Sequence, residues 1–133
     1  MNFLVKTKGH NDFIDITDKV AKAVEKSDAK DGVAAVFVKA TTAAITIMEF
    51  EKGLIEDVKD ALEKIAPENF NYKHHAAWND KNGAAHIKSA LIGTNLTLPI
   101  ANGKLNLGTW QRIVVMDFDE RPREREIVVS VLQ

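Results

Sequence analysis

The side chains most able to do chemistry lie between Asn71 and Leu91, in NYKHHAAWNDKNGAAHIKSAL, where His74, His75 and His86, three of the chain's four histidines, accompany Asp80 and Asn82. Imidazole is the usual neutral metal ligand and proton carrier near pH 7. Asn and Asp ahead of a helix also serve as ordinary caps. With Asn82 as cap, His86 falls about one turn into a helix, where the positive end of the dipole keeps a ring neutral and able to bind a metal or accept a proton. His74 and His75 are adjacent and point oppositely in an extended chain, so only one of them can share a site with His86. The chain has no short-range HxxxH or HExxH pair, so the spacing by itself is a weak metal signature.

Three further groups carry chemical potential. Glu49 ends an apolar, alternating strand, either as a solvated terminus or as a general base aimed over the sheet edge. Gly108-Thr109-Trp110-Gln111 joins a stacking indole to an amide that both donates and accepts, a mixture suited to a planar polar ligand; a Trp in a core strand is the plainer reading. Arg121, Arg123 and Arg125 alternate, so on a strand they would line one face as a fork for phosphate, unless Asp117, Asp119, Glu120, Glu124 and Glu126 satisfy them.

These residues need elements to position them. Residues 3–7 and 12–16 read as short strands turning at Gly9, and Thr17 reads as the cap of a helix with Val20, Ala21 and Val24 on one face, ending near Ser27. The apolar run 33–38 opened by Gly32 and the alternating run 45–49 read as two adjacent strands joined through Thr41-Thr42-Ala43. Leu54, Val58, Ala61, Leu62 and Ile65 form a helical stripe that Pro67 stops. A loop over 67–81 leads to a helix beginning after Asn82, with Ala84, Ile87 and Leu91 inward and Gly93 ending it. Strands follow at 96–100, 105–107, 110–116 and 127–132, with Asn102-Gly103 as a type I′ hairpin and Pro99 at an edge or bulge. Elements in blocks with a closing antiparallel meander predict an α+β two-layer domain with a mostly antiparallel sheet and about three helices.

At 133 residues, the span 1–133 is the size of one domain. A formal charge of −1 with 28% charged residues gives no electrostatic footprint for nucleic acid or an anionic membrane. The absence of cysteine removes thiolate zinc sites and a cysteine nucleophile and fits a reducing cytosol, so any metal rests on His and oxygen ligands. No apolar run approaches a membrane span and the start lacks the apolar block of a signal peptide, so the expected location is cytoplasmic.

Taken together, VFVKATTAAITIME at 36–49, YKH at 72–74, NGAAHIKSALIG at 82–93, LPIANGKLNLGTWQ at 98–111 and ERPRERE at 120–126, with FIDIT at 13–17, resemble the YjbQ family of secondary thiamine-phosphate synthase enzymes. The resemblance implies a compact α+β subunit assembling as a homotrimer, with a polar site near the subunit interfaces that can hold a divalent metal, zinc or magnesium. It places the family's polar positions on Glu49, His74, Asn82, His86, Trp110, Gln111, Arg121, Arg123 and Arg125. In the roles it implies, His74 and His86 hold a metal or shuttle a proton, Glu49 is the base, and Gln111 and Asn82 orient the substrate. The three arginines neutralise phosphate, and Trp110 contributes to substrate binding. The expected ligand is a small phosphorylated or heterocyclic molecule. The alternative is a non-catalytic trimeric protein that binds a metal or small anion. Two positions depart from the family pattern: Ala40 stands where the family has a histidine, and Asp117 where it usually has Glu. With only His74 and His86 left of three imidazoles, water or a carboxylate such as Glu49 would have to complete a tetrahedral shell.

Overall fold

The computed structural model describes residues 1–78 and 80–133. In chain order the elements are β1 (Asn2–Thr7), β2 (Asp12–Asp15), α1 (Thr17–Lys26), β3 (Gly32–Val38), β4 (Ala43–Met48), α2 (Lys52–Ile65), α3 (His74–Trp78), α4 (Gly83–Ile92), β5 (Asn95–Ala101), β6 (Lys104–Leu105), β7 (Arg112–Asp117) and β8 (Arg123–Leu132). The strands form two antiparallel sheets, a five-stranded one in the order β1-β8-β3-β5-β6 and a three-stranded one in the order β2-β7-β4. The α+β, antiparallel character is as the sequence predicts, with four helices rather than about three.

The layering differs from the predicted two layers, and β7 shows why. All five of its residues from Ile113 to Asp117 are buried, because both faces of its sheet are covered. Ile113 and Val115 pack against Val36, Val38, Ile127 and Val129 of the larger sheet, while Val114 and Met116 pack with Phe13, Ala44, Leu62 and Ala85 beneath α2 and α4. Side chains alternate along a strand, so a continuous apolar run is what a strand between two layers requires. The closing strands are accordingly no meander. β7 lies centrally in the small sheet and β8 is threaded between β1 and β3.

The turn at 41–42 does not pair β3 with β4. It carries the chain from one sheet to the other, where β3 pairs with β5 and β8 and β4 pairs with β7. Two helical faces are also rotated from the predicted ones. In α2 the packed stripe is Ile55, Val58 and Leu62, and Ile65 is exposed. In α4 the buried residues are Gly83, Ala84, Ala85, Lys88 and Ser89, leaving Ile87 and Leu91 in solvent. Small residues let α4 lie close on β4, where the Ser89 hydroxyl donates to the Ala43 carbonyl at 2.6 Å. Thr17 is the first residue of α1 rather than its cap. Asp15 accepts from the Thr17 amide and hydroxyl, and Thr17 Oγ1 accepts from the Ile113 amide.

The hairpin after β5 forms as predicted, with positive φ at both Asn102 and Gly103. Pro99 lies just past the two-residue pairing with β6, on the edge side of β5, where its carbonyl accepts from the Asn106 amide at 2.9 Å and a residue without an N–H is tolerated. Among the described residues no helix is long and apolar enough to cross a membrane.

Candidate functional site

The segment between α2 and α4 is shaped by its histidines. Tyr72 donates its hydroxyl to the Pro67 carbonyl, pinning the loop to the end of α2. Gly83 lets the Tyr72 ring lie against the start of α4, since a Cβ there would come within 2.8 Å of that ring. The predicted cap, Asn82, holds the N-cap position but makes no capping hydrogen bond with its side chain. His75 takes that role: its Nε2 accepts from the Gly83 amide at 3.1 Å. His75 therefore faces away from the site, and His74 faces in, its ring centroid 4.4 Å from that of His86.

His86 walls a polar cavity of about 650 Å³ together with Ala40, Thr41, Asn82, Asp119 and Arg123. Burial and the neighbouring His74 hold its pKa below the ordinary 6.5, against the opposing pull of Asp119, Asp80 and a hydrogen bond to the Thr41 backbone. The ring is thus neutral near pH 7, as the sequence predicts. Burial is the largest cause and the second imidazole the next. Asn82 is 8% exposed, and its Oδ1 has no hydrogen-bond partner among the described residues. A buried acceptor without a donor costs on the order of 1–3 kcal/mol, which a bound donor would recover.

Behind the cavity runs a charged network. Arg125, 9% exposed, donates to both oxygens of Asp117 at 2.8 and 2.9 Å and to Thr42 Oγ1 at 2.7 Å. Thr42 in turn donates to Asp119 Oδ2 at 2.9 Å, and Thr7 closes the far end on Asp117. Arg123 pairs with Asp119 at 2.8 Å. Burial pushes the Asp119 carboxyl up, but hydrogen bonds from the Glu120 amide, Thr42 and Arg123 together leave it below the ordinary 3.8.

This network corrects the phosphate fork read from the three arginines. Arg121 lies exposed in the turn before β8 and does not line the cavity, and Arg125 is consumed by Asp117 and Thr42. Arg123, Arg125 and Lys39 are the cations on the wall, Arg125 already bound to Asp117 and Thr42 and Lys39 paired at 3.0 Å with Glu126. Asp117, Asp119 and Thr42 are members that the candidate set missed. The signal for them was the alternation Asp117-x-Asp119 facing Arg123-x-Arg125 across one turn.

The remaining candidates lie elsewhere in the chain. Glu49 and Trp110 line a second hollow of about 420 Å³ with Asp15, Phe50 and Arg112. Gln111, next to it, uses its amide oxygen to accept from the Gly108 amide, holding the tight turn between β6 and β7. Trp110 is 71% exposed, so the core-strand reading of this indole is wrong. In the register of β4 and β7, Ala43 faces Asp117 at the His86 end and Met48 faces Arg112 at the Glu49 end. Six residues at ~3.3 Å each separate the two hollows by roughly 20 Å. Glu49 and Gln111 therefore do not act on anything bound beside His86 of the same chain. Nor does Glu49 complete a metal shell there. Among the described residues no group of three or more His, Cys, Asp or Glu side chains is arranged to hold a metal ion, and His74 and His86 supply two nitrogens only.

The model of the UPF0047 YjbQ-like proteins matches residues 1–133. The chain belongs to that family. It is 42% identical over 132 residues to a UPF0047 protein of Archaeoglobus fulgidus, covering 99% of this chain and 100% of the relative, and 38% identical to one of Methanocaldococcus jannaschii, covering 98% and 91%. Among solved structures, a YjbQ/UPF0047 family protein of Clostridium acetobutylicum is 41% identical with a TM-score of 0.90, covering 99% of both chains. A YbjQ-like protein of Sulfolobus solfataricus is 35% identical with a TM-score of 0.92, covering 98% of this chain and 94% of that one. In this YjbQ-like chain Ala40 lines the same cavity as His86, so an imidazole placed at position 40 would stand beside His86.

Proposed function

We propose that this chain is an enzyme that acts on a small phosphorylated or heterocyclic substrate in the His86 cavity, works as a homotrimer in the cytoplasm, and has thiamine phosphate synthesis as the reaction to test. The observation that carries the reading is the Asn82 side chain. It is released from capping by His75, buried on the cavity wall, and unpaired at Oδ1 among the described residues, beside a neutral imidazole. A group that costs stability and makes no internal bond is best explained by a ligand that donates to it.

His86 is the proton carrier in this reading, since a ring held neutral can accept a proton at pH 7. Arg123 and Lys39 receive the anionic end of the substrate. An arginine has five N–H donors, and Arg123 spends only part of them on Asp119. Arg125 and Asp117 hold the wall in place instead. Zinc would have His74 and His86 as its protein nitrogens and needs a further ligand from outside the set in one chain, whereas magnesium, which takes oxygen ligands, does not fit this imidazole pair.

The test is growth of a strain lacking its ordinary thiamine-phosphate synthase, supplied with this chain or with the His86→Ala variant. Growth with the parent chain and none with the variant supports the enzyme. A well-expressed parent chain that never restores growth favours the second reading, a non-catalytic trimeric protein that holds a metal or small anion. The position of Ala40, where an imidazole is missing from the cavity, is what keeps that reading specific.

A further inference from the structure

Resting on the reading that His86 marks the reaction centre, we infer that His86 is also a nucleophile, which takes a phosphoryl group from an acyl phosphate and passes it to a hydroxyl held by Asn82. Of the chain's four histidines, this one combines an available lone pair with a cationic cavity. His10 is exposed and pairs with Glu68 at 3.4 Å. His75 Nε2 accepts from the Gly83 amide, and His74 Nε2 turns towards Asp80, 3.8 Å away. His86 bonds to the Thr41 backbone in the sense that favours the protonated ring, so one ring nitrogen is the donor and the Thr41 carbonyl the acceptor. An imidazole that donates from one nitrogen carries its lone pair on the other, here on a ring that lines the cavity. The His74 ring packs edge-on against it, with centroids 4.4 Å apart, and holds its orientation.

The wall supplies what a transferring phosphoryl group needs. Arg123 binds Asp119 through Nε and Nη2, while its Nη1 makes no hydrogen bond among the described residues. Lys39 bonds Glu126 and keeps further N–H donors on the same wall. Such cations stabilise charge on the equatorial oxygens of phosphorus. In the first step the His86 lone pair forms the N–P bond, the P–O bond to the donor breaks, and its electron pair leaves as a carboxylate. A carboxylate leaves without a proton, which fits this wall: Asp119, held ionised by the Glu120 amide, Thr42 and Arg123, has no proton to give an alkoxide. The N–H on the Thr41 carbonyl stays in place, so the phosphorylated ring is a cation and a good leaving group. In the second step a hydroxyl oxygen attacks phosphorus, the N–P bond breaks, its electron pair returns to His86, and the hydroxyl proton passes to solvent. Asn82 and His86 are four apart on α4 and share a face, with the His86 amide donating to the Asn82 carbonyl at 3.2 Å. Asn82 Oδ1, buried and without a partner among the described residues, accepts from that hydroxyl and aims its oxygen at phosphorus.

Acetyl phosphate is the probe. Incubated with the full chain, it should add one phosphoryl group, read by intact mass and by a nitrogen-bound signal in phosphorus NMR that acid destroys and alkali spares. Peptide mapping in alkali should place the group on His86. His86→Gln should take up none, and Arg123→Met should take it up slower by on the order of tenfold or more, as for loss of one donor to a developing anion. Asn82→Ala should take up the group at the parental rate and release it to water on the order of tenfold more slowly, because only the second step uses Oδ1. That split between the two rates is one that a structural role for Asn82 would not produce, and it keeps the test decisive even if His86→Gln does not fold. The inference is overturned if the folded parent gains no phosphoryl group, if exposed His10 is labelled as fast as His86, or if the Arg123 and Asn82 variants keep both parental rates. Failure to restore growth in the thiamine experiment leaves the phosphorylation unmoved. Growth restored by a chain that takes up no phosphoryl group overturns this inference alone, so the two readings fail separately.

Discussion

His75 Nε2 lies 3.1 Å from the Gly83 amide, and through that bond an imidazole, not the asparagine next to the helix, caps α4. The exchange decides what the loop can do. A capping Asn82 would be satisfied and silent, whereas the released Asn82 stands on the cavity wall with an acceptor to spare. Of two adjacent histidines, one is spent on structure so that the other, His74, can face His86.

Removing this cap gives the first prediction. His75→Ala should cost about 0.5–2 kcal/mol, the range for loss of an N-cap bond, read as a lowered midpoint in urea. Asn82→Ala should leave the midpoint unchanged or raise it, because it removes a buried, unpaired oxygen and no capping bond. The reverse order would mean that Asn82 is the true cap.

The second prediction separates Arg125 from Arg123. Arg125→Met strands the Asp117 carboxylate, which is fully buried, and breaking one side of a buried pair costs about 3–5 kcal/mol. Arg123 is about a third exposed, and its buried partner Asp119 keeps the Thr42 hydroxyl, the Glu120 amide and Arg125 at 3.5 Å when Arg123 is removed, so this loss is the smaller of the two. Arg123→Met should therefore fold almost normally and lose affinity for inorganic phosphate or a phosphorylated ligand. Equal stability losses in the two variants would contradict the division into wall and binding group.

How much of this was legible in the sequence depends on whether the signal was local. Periodicity found the strands and α2, and the Asn102-Gly103 pair found its hairpin, because those patterns are set by neighbours along the chain. The exposed faces of α4 were misread since Ala84, Ala85 and Ser89 are small and carry little hydrophobic signal, yet they are what allows close packing on β4. The sheet partners of β3 and β4 were misread because a three-residue turn can either reverse a strand or pass it to the facing sheet. His74, His86 and Asn82 were found and do converge. Glu49, Trp110 and Gln111 sit at the far end of the strands, a distance that no motif encodes. The Asp117–Arg125 network joins positions eight apart across a turn, and only the fold shows that it is buried.

A third prediction follows from the two imidazoles. In the folded protein His86 should titrate below 6.5, and His74→Ala should raise its midpoint by removing the like charge while leaving burial in place. The linkage sign is fixed: below pH 6.5 the unfolded chain binds more protons at this position than the folded one, so the neutral ring lowers stability progressively as pH falls. Two-dimensional NMR of the ring protons reads the midpoint directly. A midpoint at or above 6.5 would show that Asp119 and Asp80 outweigh burial and His74, and that the ring is a cation in the working protein.

The last prediction adds an imidazole to the cavity wall at position 40. Ala40 lines the cavity with Thr41 and His86, so Ala40→His adds an imidazole to a wall that already carries one and has a second behind it in His74. Two nitrogens make an incomplete zinc site and three make the protein share of an open tetrahedral one. The variant should bind Zn²⁺ at least tenfold more tightly than the parent in a calorimetric titration, and His74→Ala in the same background should return the affinity to the parent level. If a metal is what limits turnover, the tighter site should also raise any thiamine phosphate synthase rate. Zinc binding that ignores both changes would mean that His74 and His86 face each other for proton transfer or packing, and that coordination plays no part in what this cavity does.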